Sequence, residues 1–397
     1  MQISDKLLAV KPSATLYIDA KVKILKQQGI DVINFGVGEP DFDTPINIKE
    51  AAIKAIKDGF TKYCPVAGTL ELKEAIINKL YKDNNIAYKL DEIIVSNGAK
   101  HSLYNALQSI LNNGDEVIIP APYWVSYTDM VFLAGGIPVI VNTSDNNSFK
   151  ITPTLLTQAC TKKTKVLIIN APSNPTGVMY TIDELKEIME ICRQYNIFVI
   201  TDDIYEKFVY NNRSFVSIAS VFPKDEIKER VLIINGVSKA YAMTGWRIGY
   251  AAGHNKIIAA MSTLQSQSTS NASSISMKAA VEALNGTQEY LLYMKQIFEE
   301  RRNYIVENLN TIQGITCKKP HGSFYVFPNI SNIIGKTLHG GKVINSDIDF
   351  ANYLLDKARV AVVPGSAFGC EDYIRISYAT SMSNIKDGLN RLKSLLL

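Results

Sequence analysis

The chain has 397 residues, of which 47% are hydrophobic and 20% are charged, and its formal net charge is +4 at pH 7. This length exceeds what one hydrophobic core usually supports, so we expect a globular protein of two domains. The 42 lysine and arginine residues are scattered and do not cluster beside aromatic residues, which argues against nucleic-acid binding. The first residues form no apolar signal core, and no segment approaches the roughly 20 apolar residues of a membrane helix. We therefore expect a cytoplasmic protein that does not bind membranes.

The cysteines and histidines argue against disulfides and metal sites. The five cysteines include no CxxC pair, and an odd number of scattered thiols is typical of a reducing compartment. The four histidines are isolated and lack the HExxH spacing of a zinc enzyme. We expect neither a bound metal nor a disulfide framework.

The first 45 residues are predicted to form an arm, a helix and a short strand. The helix begins near Tyr17, and Gly29 ends it. A strand at 31–35 then leads into a turn-rich loop. The next helical patterns span about 46–58 and 69–82.

Strands and helices alternate through the middle of the chain. The predicted strands are 93–96, 116–119, 137–141, 166–170, 198–201, 231–235 and 248–252, and helical patterns between them include 100–111, 124–134 and 183–195. Most of these strands are continuous apolar runs, which is typical of strands buried on both faces of a parallel sheet. The pattern predicts an α/β fold in which helices sandwich a mainly parallel, mixed sheet.

The last third of the chain predicts a smaller α+β domain. It begins with a long helical stretch at about 276–312, and strand and helix patterns at 323–327, 347–358, 360–363 and 373–378 precede a terminal helix. We expect residues 1–45 to be an arm and part of the small domain, 46–285 the large domain, and 286–397 the small C-terminal domain.

The segment around Lys239 carries the strongest functional signal. The apolar residues 231–234 predict a buried strand, and Lys239 lies in the loop after it, where ligands commonly bind. A lysine amine can bond covalently to an aldehyde, and the nearby Ser238 and Arg247 can hold a phosphate. Pyridoxal phosphate carries both groups, so the segment predicts a site for this cofactor, although most lysines are solvated surface charges.

Residues after other strands add weaker signals. The turn before Ala99 and Lys100 opens a helix whose N-terminus favours a phosphate, although such turns are more often ordinary helix starts. Trp124 follows strand 116–119 and can stack on a flat ring or pack in a core. Asn174 follows strand 166–170 and can donate a hydrogen bond to a phenolic oxygen.

Two acidic residues end the strand at 198–201. Either Asp202 or Asp203 can keep a pyridinium nitrogen protonated, which makes the ring an electron sink, and an N-cap aspartate is the alternative. The spacing favours Asp202, and it places Tyr205 where it can reach the ring oxygen O3′. Arg375, between apolar residues of a predicted strand, can clamp a substrate carboxylate if it points inward or be an exposed edge residue if it does not.

Together these motifs resemble the class I (fold type I) aminotransferases and, among them, the bacterial aspartate aminotransferases that begin with a KPSAT-type arm. The resemblance covers essentially the whole chain. The matching motifs are KPSAT at 11–15, GEPDFDTP at 38–45, YCPVAG at 63–68, NPTG at 174–177, DDIY at 202–205, SK at 238–239, RIGY at 247–250, VPG at 363–365 and RISY at 375–378.

The resemblance implies a role for each site residue. Lys239 forms a Schiff base with pyridoxal phosphate, and Asp202 pairs with the ring nitrogen. The remaining cofactor residues are Tyr205 and Asn174 at O3′, Trp124 on the ring, and Ala99, Lys100 (through its backbone N–H), Ser238 and Arg247 at the phosphate. Tyr63 reaches the phosphate of the neighbouring subunit, which implies a homodimer with shared sites, and Gly38, Trp124, Asn174 and Arg375 bind the substrate.

One departure concerns the distal carboxylate of a dicarboxylic substrate. Better-known aspartate aminotransferases bind it with an arginine of the partner subunit, but the matching stretch 264–277 contains neither arginine nor lysine. Relatives with the KPSAT arm use its lysine, which is Lys11 here. In those relatives this lysine accompanies acceptance of prephenate, whose product is arogenate.

The implied activity is transamination of L-aspartate with 2-oxoglutarate to oxaloacetate and L-glutamate, with Lys239 as the base. Alternatives are an aminotransferase for aromatic or other amino acids, and a β-lyase of the same fold type. A sensor domain with this fold normally accompanies a DNA-binding module, and the sequence has no such extension.

Overall fold

The structure, a computed structural model, describes residues 3–8, 10, 14–338 and 341–396. The N-terminal elements are the helices Asp5–Leu8 (α1) and Ala14–Gln27 (α2) and the strand Ile33–Asn34 (β1). Helix α2 ends before Gly29, which adopts a φ of +76°, as the sequence predicts. Lys11 lies outside the described residues, so its predicted role stays a prediction.

The central sheet of the described chain has seven strands in the order β2-β8-β7-β6-β5-β3-β4. These strands are Ile93–Ser96 (β2), Glu116–Ala121 (β3), Ile137–Asn142 (β4), Thr164–Asn170 (β5), Phe198–Asp202 (β6), Val231–Gly236 (β7) and Gly249–Ala252 (β8). All pairings are parallel except those of β8, which runs antiparallel to β2 and β7. The predicted mainly parallel, mixed sheet is confirmed.

Helices cover both faces of this sheet. They are Ile46–Lys57 (α3), Leu70–Asn84 (α4), Ala99–Ile110 (α5), Ser126–Leu133 (α6), Pro153–Ala159 (α7), Ile182–Gln194 (α8), Ile227–Arg230 (α9), Asn255–Ser266 (α10) and Ser274–Asn285 (α11). Alternate residues of one strand enter different cores: Ile118 packs in one cluster, whereas Val117 and Ile119 pack in the other. Because successive side chains of a strand point to opposite faces, the apolar runs supply both cores.

The long helical stretch predicted at 276–312 is instead two helices, α11 and Glu289–Leu309 (α12). Gly286 separates them with an extended backbone (φ −74°, ψ −171°). A Cβ atom at this position would lie 2.7 Å from the backbone oxygen of Glu282. The break therefore follows from the low helix propensity of glycine and from crowding at the end of α11.

The C-terminal segment forms a second, smaller layer. Its elements are Tyr325–Val326 (β9), Thr337–Leu338 (β10), Lys342–Val343 (β11), Asp347–Tyr353 (α13), Val360–Ala361 (β12), Val363–Pro364 (β13), Ile374–Ser377 (β14) and Met382–Leu396 (α14). Strand β14 lies between β13 and β9, and both pairings are antiparallel. Strand β1 pairs with β12, and Val22 and Val32 pack against Leu355 and Ala361. The N-terminal segment thus packs with the C-terminal layer.

Within the described residues, we find no helix that combines the length and the apolar character needed to cross a membrane.

Candidate active site

The carboxyl ends of the central parallel strands open into a cavity of about 310 Å³. In open parallel sheets this is where ligands bind. The cavity brings together most of the residues that the sequence predicts for the site: Gly38, Ala99, Lys100, Trp124, Asn174, Asp202, Tyr205, Ser238, Lys239, Arg247 and Arg375.

Asp202, at the end of β6, turns its carboxylate into this cavity. The Tyr127 hydroxyl donates to Asp202 Oδ2 at 2.7 Å, and the Ile204 N–H donates to Oδ1 at 3.3 Å. No cation of the described residues lies within ion-pair distance of it. Burial raises the pKa of the Asp202 carboxyl despite these hydrogen bonds. A cationic ligand group would supply the charge partner that this buried carboxylate lacks.

The structure separates the two acidic residues that the sequence leaves as alternatives. Asp203 is buried but does not line the cavity, and it accepts a hydrogen bond from the Thr201 hydroxyl at 2.5 Å. Because successive residues of a strand point in opposite directions, only Asp202 faces the cavity. The geometry therefore favours Asp202, as the spacing does.

Lys239 follows β7 and directs its amine toward the loop before α3. Its Nζ donates a hydrogen bond to the backbone oxygen of Gly38 at 2.5 Å. Burial lowers the pKa of the Lys239 amine to about 8, with the charges of Arg375 and Arg247 adding to this effect and the carboxylate of Glu39 opposing it. A larger share of this amine is therefore neutral, and nucleophilic, than in an exposed lysine.

An anion cup forms where β2 turns into α5. Gly98 caps the helix with a φ of +86°, and a Cβ atom there would lie 2.2 Å from Nη2 of Arg247. The Arg247 guanidinium is fixed by the backbone oxygens of Thr244 (2.8 Å) and Asn97 (3.3 Å). The helix N-terminus and this guanidinium, with Ser238 beside them on the cavity wall, present positive charge and donors to an anion.

Arg375, on β14, is 2% exposed, so the structure rules out its interpretation as an exposed edge residue. Its Nη1 donates to Asn174 Oδ1 at 3.0 Å and its Nη2 to the backbone oxygen of Gly36 at 2.6 Å, while Nε has no hydrogen-bond partner. Within the described part of the chain it has no carboxylate partner. A buried guanidinium that lines the cavity without a carboxylate partner suits a ligand carboxylate.

Three cavity features have no counterpart in the sequence prediction. Tyr127 holds Asp202, and Tyr325 lies beside Tyr205, with the two hydroxyl oxygens 2.9 Å apart. The Lys100 ammonium lies 4.8 Å from the centre of the Trp124 ring, whereas the sequence prediction gives the site only the Lys100 backbone. Tyr127 follows Trp124 by three residues, at the start of α6, and this short spacing is the signal that could have identified it.

One predicted residue lies apart from this group. The Tyr63 side chain is 92% exposed and does not line the cavity, which is compatible with the expected role in a neighbouring subunit. No group of three or more potential metal ligands occurs among the described residues.

The residues present fit pyridoxal phosphate. The anion cup can take its phosphate, Asp202 its ring nitrogen, and the Lys239 amine its aldehyde, since these features line one cavity. Such a ligand would explain two features of the site. Asp202 is a buried carboxylate with no cation of the described residues within ion-pair distance. At Gly98, any larger residue would meet Arg247, the arginine of the cup.

Comparison with known proteins agrees with this geometry. The family described as "Aminotransferase class I and II" matches residues 30–392. A protein of Rickettsia bellii named "Probable aspartate/prephenate aminotransferase" is 53% identical over 392 residues, covering 98% of each chain. The crystal structure of the aspartate aminotransferase from Rhizobium meliloti superposes with a TM-score of 0.96 at 45% identity, covering 100% of this chain and 99% of the other.

A second solved structure is the aspartate aminotransferase from Thermus thermophilus with maleate, which has a TM-score of 0.93 at 38% identity and covers 100% of both chains. The match in sequence and in fold extends over nearly the full length in each case. This chain belongs to the class I and II aminotransferase family.

Proposed function

We propose that this aminotransferase uses pyridoxal phosphate to transfer the amino group of L-aspartate to 2-oxoglutarate. The observation that carries the proposal is the convergence, in one cavity, of the Lys239 amine with two buried and unpaired charges, those of Asp202 and Arg375. A cofactor and a substrate carboxylate together would satisfy both charges.

The cofactor, when bound, supplies an electron sink for the bond that breaks at the substrate Cα. Asp202 would hold the ring nitrogen, and Tyr205 and Asn174 would donate to the ring oxygen. Trp124 would cover the ring, and the anion cup of Gly98, Ser238 and Arg247 would hold the phosphate. These assignments are supported by the cavity that all of these residues except Gly98 line.

Lys239 is the general base in this proposal. Its Nζ takes the proton from the substrate Cα, and the lowered pKa of about 8 leaves a larger fraction of the amine unprotonated near neutral pH than in an exposed lysine. The hydrogen bond to the Gly38 backbone oxygen holds the amine close to the loop where the substrate carboxylate is expected. Arg375 would orient that carboxylate, since it lines the cavity and its guanidinium is anchored by Asn174 and by the backbone oxygen of Gly36.

The distal carboxylate needs a second cation, and two lysines are candidates. Thr15 and Leu16 line the cavity, and Lys11 precedes Thr15 by four residues, a distance of at most about 14 Å along the chain. The Lys100 ammonium lies at the cavity wall over Trp124, and burial together with the charge of Arg247 lowers its pKa. A substrate carboxylate beside the Lys100 ammonium would stabilise its charged form and so oppose the effects of burial and of Arg247 on this pKa.

The names of the relatives support aspartate as the amino donor. Maleate, the ligand of the Thermus thermophilus enzyme, is a dicarboxylate like aspartate. The Rickettsia bellii relative is also named for prephenate. We therefore include prephenate, which also carries two carboxylates, as a second acceptor of the amino group.

We also propose that the enzyme is a homodimer with shared sites. Apolar side chains of α3, namely Ile46, Ile53 and Ile56, are exposed, as is Tyr63. Exposed apolar surface of this kind is typical of a protein interface. In the dimer, Tyr63 of the partner subunit would complete the anion cup.

The proposal is tested by kinetics on three lysine variants. Lys239→Ala should lose both the visible absorption of the bound cofactor and glutamate formation from aspartate and 2-oxoglutarate. Lys11→Ala and Lys100→Ala should raise KM for aspartate more than for alanine, by roughly tenfold for the residue that pairs with the distal carboxylate. Lys26→Ala, which removes an exposed cation of α2, is the control.

Normal turnover of Lys239→Ala would refute the mechanism. Equal KM changes for aspartate and alanine in both other variants would refute the assignment of the distal cation. Release of pyruvate and ammonia without glutamate formation would instead identify a β-lyase.

A further inference from the structure

Tyr325 lies between the two ends of the proposed site. It is 1% exposed, lies on β9 and lines the cavity, and the sequence prediction assigns it no role. Its hydroxyl oxygen is 2.9 Å from that of Tyr205. Its ring lies under the guanidinium of Arg375, with 4.5 Å between the Arg375 Cζ and the ring centre. One side chain therefore contacts both the proposed ring-oxygen donor and the proposed carboxylate clamp.

Tyr325 also defines the wall at the Gly38 loop. A Cβ atom at Gly38 would lie 2.9 Å from the Tyr325 hydroxyl, so only glycine fits without a shift. The backbone oxygen of Gly38 accepts the hydrogen bond of the Lys239 amine. The hydroxyl of Tyr325 is thus packed against the same residue that positions the proposed base.

The direction of the hydrogen bond between the two tyrosines follows from counting protons. A phenol has one O–H donor and can also accept. If Tyr205 donates its proton to the ring oxygen of the cofactor, its own oxygen can only accept from Tyr325. Tyr325 is then the second donor of a two-step chain, and such chains strengthen each bond by mutual polarisation.

We propose that Tyr325 is a positioning residue that couples the carboxylate clamp to the cofactor: its hydroxyl strengthens the Tyr205 donor, and its ring holds the Arg375 guanidinium. This inference rests on the proposed cofactor and on the role of Tyr205 in it. Two different parts of one side chain act at two places, so the two effects are separable by substitution.

Tyr325→Phe removes only the hydroxyl. Negative charge on the cofactor ring oxygen would then be less dispersed. The nitrogen that joins the cofactor to Lys239 lies beside this oxygen and would hold its proton more firmly. The pKa read from a spectrophotometric titration of the bound cofactor should therefore rise by roughly half a unit to one unit. The KM for aspartate should stay within about twofold, because the ring under Arg375 remains.

Tyr325→Leu removes the ring as well. It should produce the same spectral shift and, in addition, raise KM for aspartate by roughly tenfold, since a desolvated cation–π contact is lost. Circular dichroism and thermal unfolding would establish that this variant folds. If it does not, Tyr325→Met, which also lacks the ring, takes its place. A folded variant without the ring whose KM for aspartate matches the wild type would overturn the role of the ring.

Tyr378→Phe is the matched control. Its hydroxyl is equally buried and donates to the backbone oxygen of Ser323 at 3.0 Å, away from Tyr205. This variant should leave the titration unchanged. A titration of Tyr325→Phe that matches the wild type would overturn the proposal, as would an equal shift in Tyr378→Phe. If the wild-type protein itself shows no cofactor absorption, the proposed function fails instead.

Discussion

At the scale of single residues, the environment of Lys239 sets its chemistry. The side chain is enclosed by the cavity wall, and its amine is close enough to Arg375 and Arg247 to respond to their charge. Burial penalises the charged form of a lysine, and cationic neighbours do the same, so both effects favour the neutral amine. The fold by itself therefore favours the neutral amine, which is the form that acts as a nucleophile and as a base.

This predicts the titration of Lys239 in the cofactor-free protein. Because its pKa is lowered to about 8, the amine should become reactive between about pH 7 and pH 9. Exposed lysines, with an ordinary pKa of about 10.4, should react only at higher pH. Trace labelling with an acylating reagent over a pH series, read by mass spectrometry, measures the reactivity of Lys239 and of the exposed lysines in one sample. Labelling of Lys239 that follows the exposed lysines would contradict the prediction.

At the scale of elements, the turn from β2 into α5 builds the anion cup. Gly98 permits a backbone with positive φ, and the absence of a side chain leaves room for Arg247. Conformation and space are two separate demands on this glycine. Gly114 has the same φ of +86°, but a Cβ atom there would meet nothing within 4 Å. At Gly114, therefore, the backbone conformation favours glycine but the available space does not require it.

This pair of glycines gives a controlled prediction. Gly114→Ala should lower the free energy of unfolding by about 1 kcal/mol, because alanine is strained at positive φ. Gly98→Ala should lower it by more, because its methyl group also meets Arg247. Only Gly98→Ala should also weaken pyridoxal phosphate binding, by at least roughly tenfold, because its methyl group displaces Arg247 from the cup. Thermal unfolding and cofactor titration of the apoprotein measure the two effects. Equal cofactor affinities would refute the role of the cup.

At the scale of the whole molecule, the site joins distant parts of the chain. Arg375 comes from the C-terminal layer and donates to Gly36, 339 residues earlier, and to Asn174 after β5. The predicted domain boundaries at 45 and 285 stay a prediction, supported by the break between α11 and α12 at Gly286. If the two layers are domains, the cavity lies where they meet, which is a common place for a ligand site.

The proposed dimer makes a prediction about mixed subunits. If each site combines its own Lys239 with Tyr63 of the partner subunit, a hybrid of Lys239→Ala and Tyr63→Ala chains contains one intact site. Random re-association of the two inactive variants should then recover about a quarter of the wild-type sites. Activity measured after joint unfolding and refolding, with each variant refolded alone as control, tests this. No recovery would place Tyr63 in its own subunit's site, and full activity of Tyr63→Ala refolded alone would place it outside any site.

Much of the fold could be predicted because it is encoded locally. The apolar runs of β5 and β7 are long enough to identify buried strands, and helix starts such as Thr181, which caps α8, follow standard patterns. The prediction of one long helix at 276–312 is wrong, because the effect of Gly286 depends on its conformation. A glycine within a helical pattern does not by itself reveal whether the helix continues.

The site was predictable where its residues follow strands. Lys239, Asp202 and Asn174 each lie within a few residues of the end of an apolar run, and parallel strands bring such positions to one edge. Tyr325 and the ammonium of Lys100 could not be predicted, because their roles depend on neighbours far away in sequence. Tyr205 and Tyr325 are 120 residues apart, and Tyr127 lies 75 residues from Asp202.

The sequence by itself determined the sheet, the lysine loop and the family motifs, since apolar periodicity and turn residues act over a few neighbouring positions. Only the tertiary structure decided that Asp202 rather than Asp203 faces the cavity, that Arg375 is buried, and that Tyr325 joins the two ends of the site. These outcomes depend on which side chains meet across the fold. Burial and charge pairing arise only when distant segments come together, so no local pattern records them.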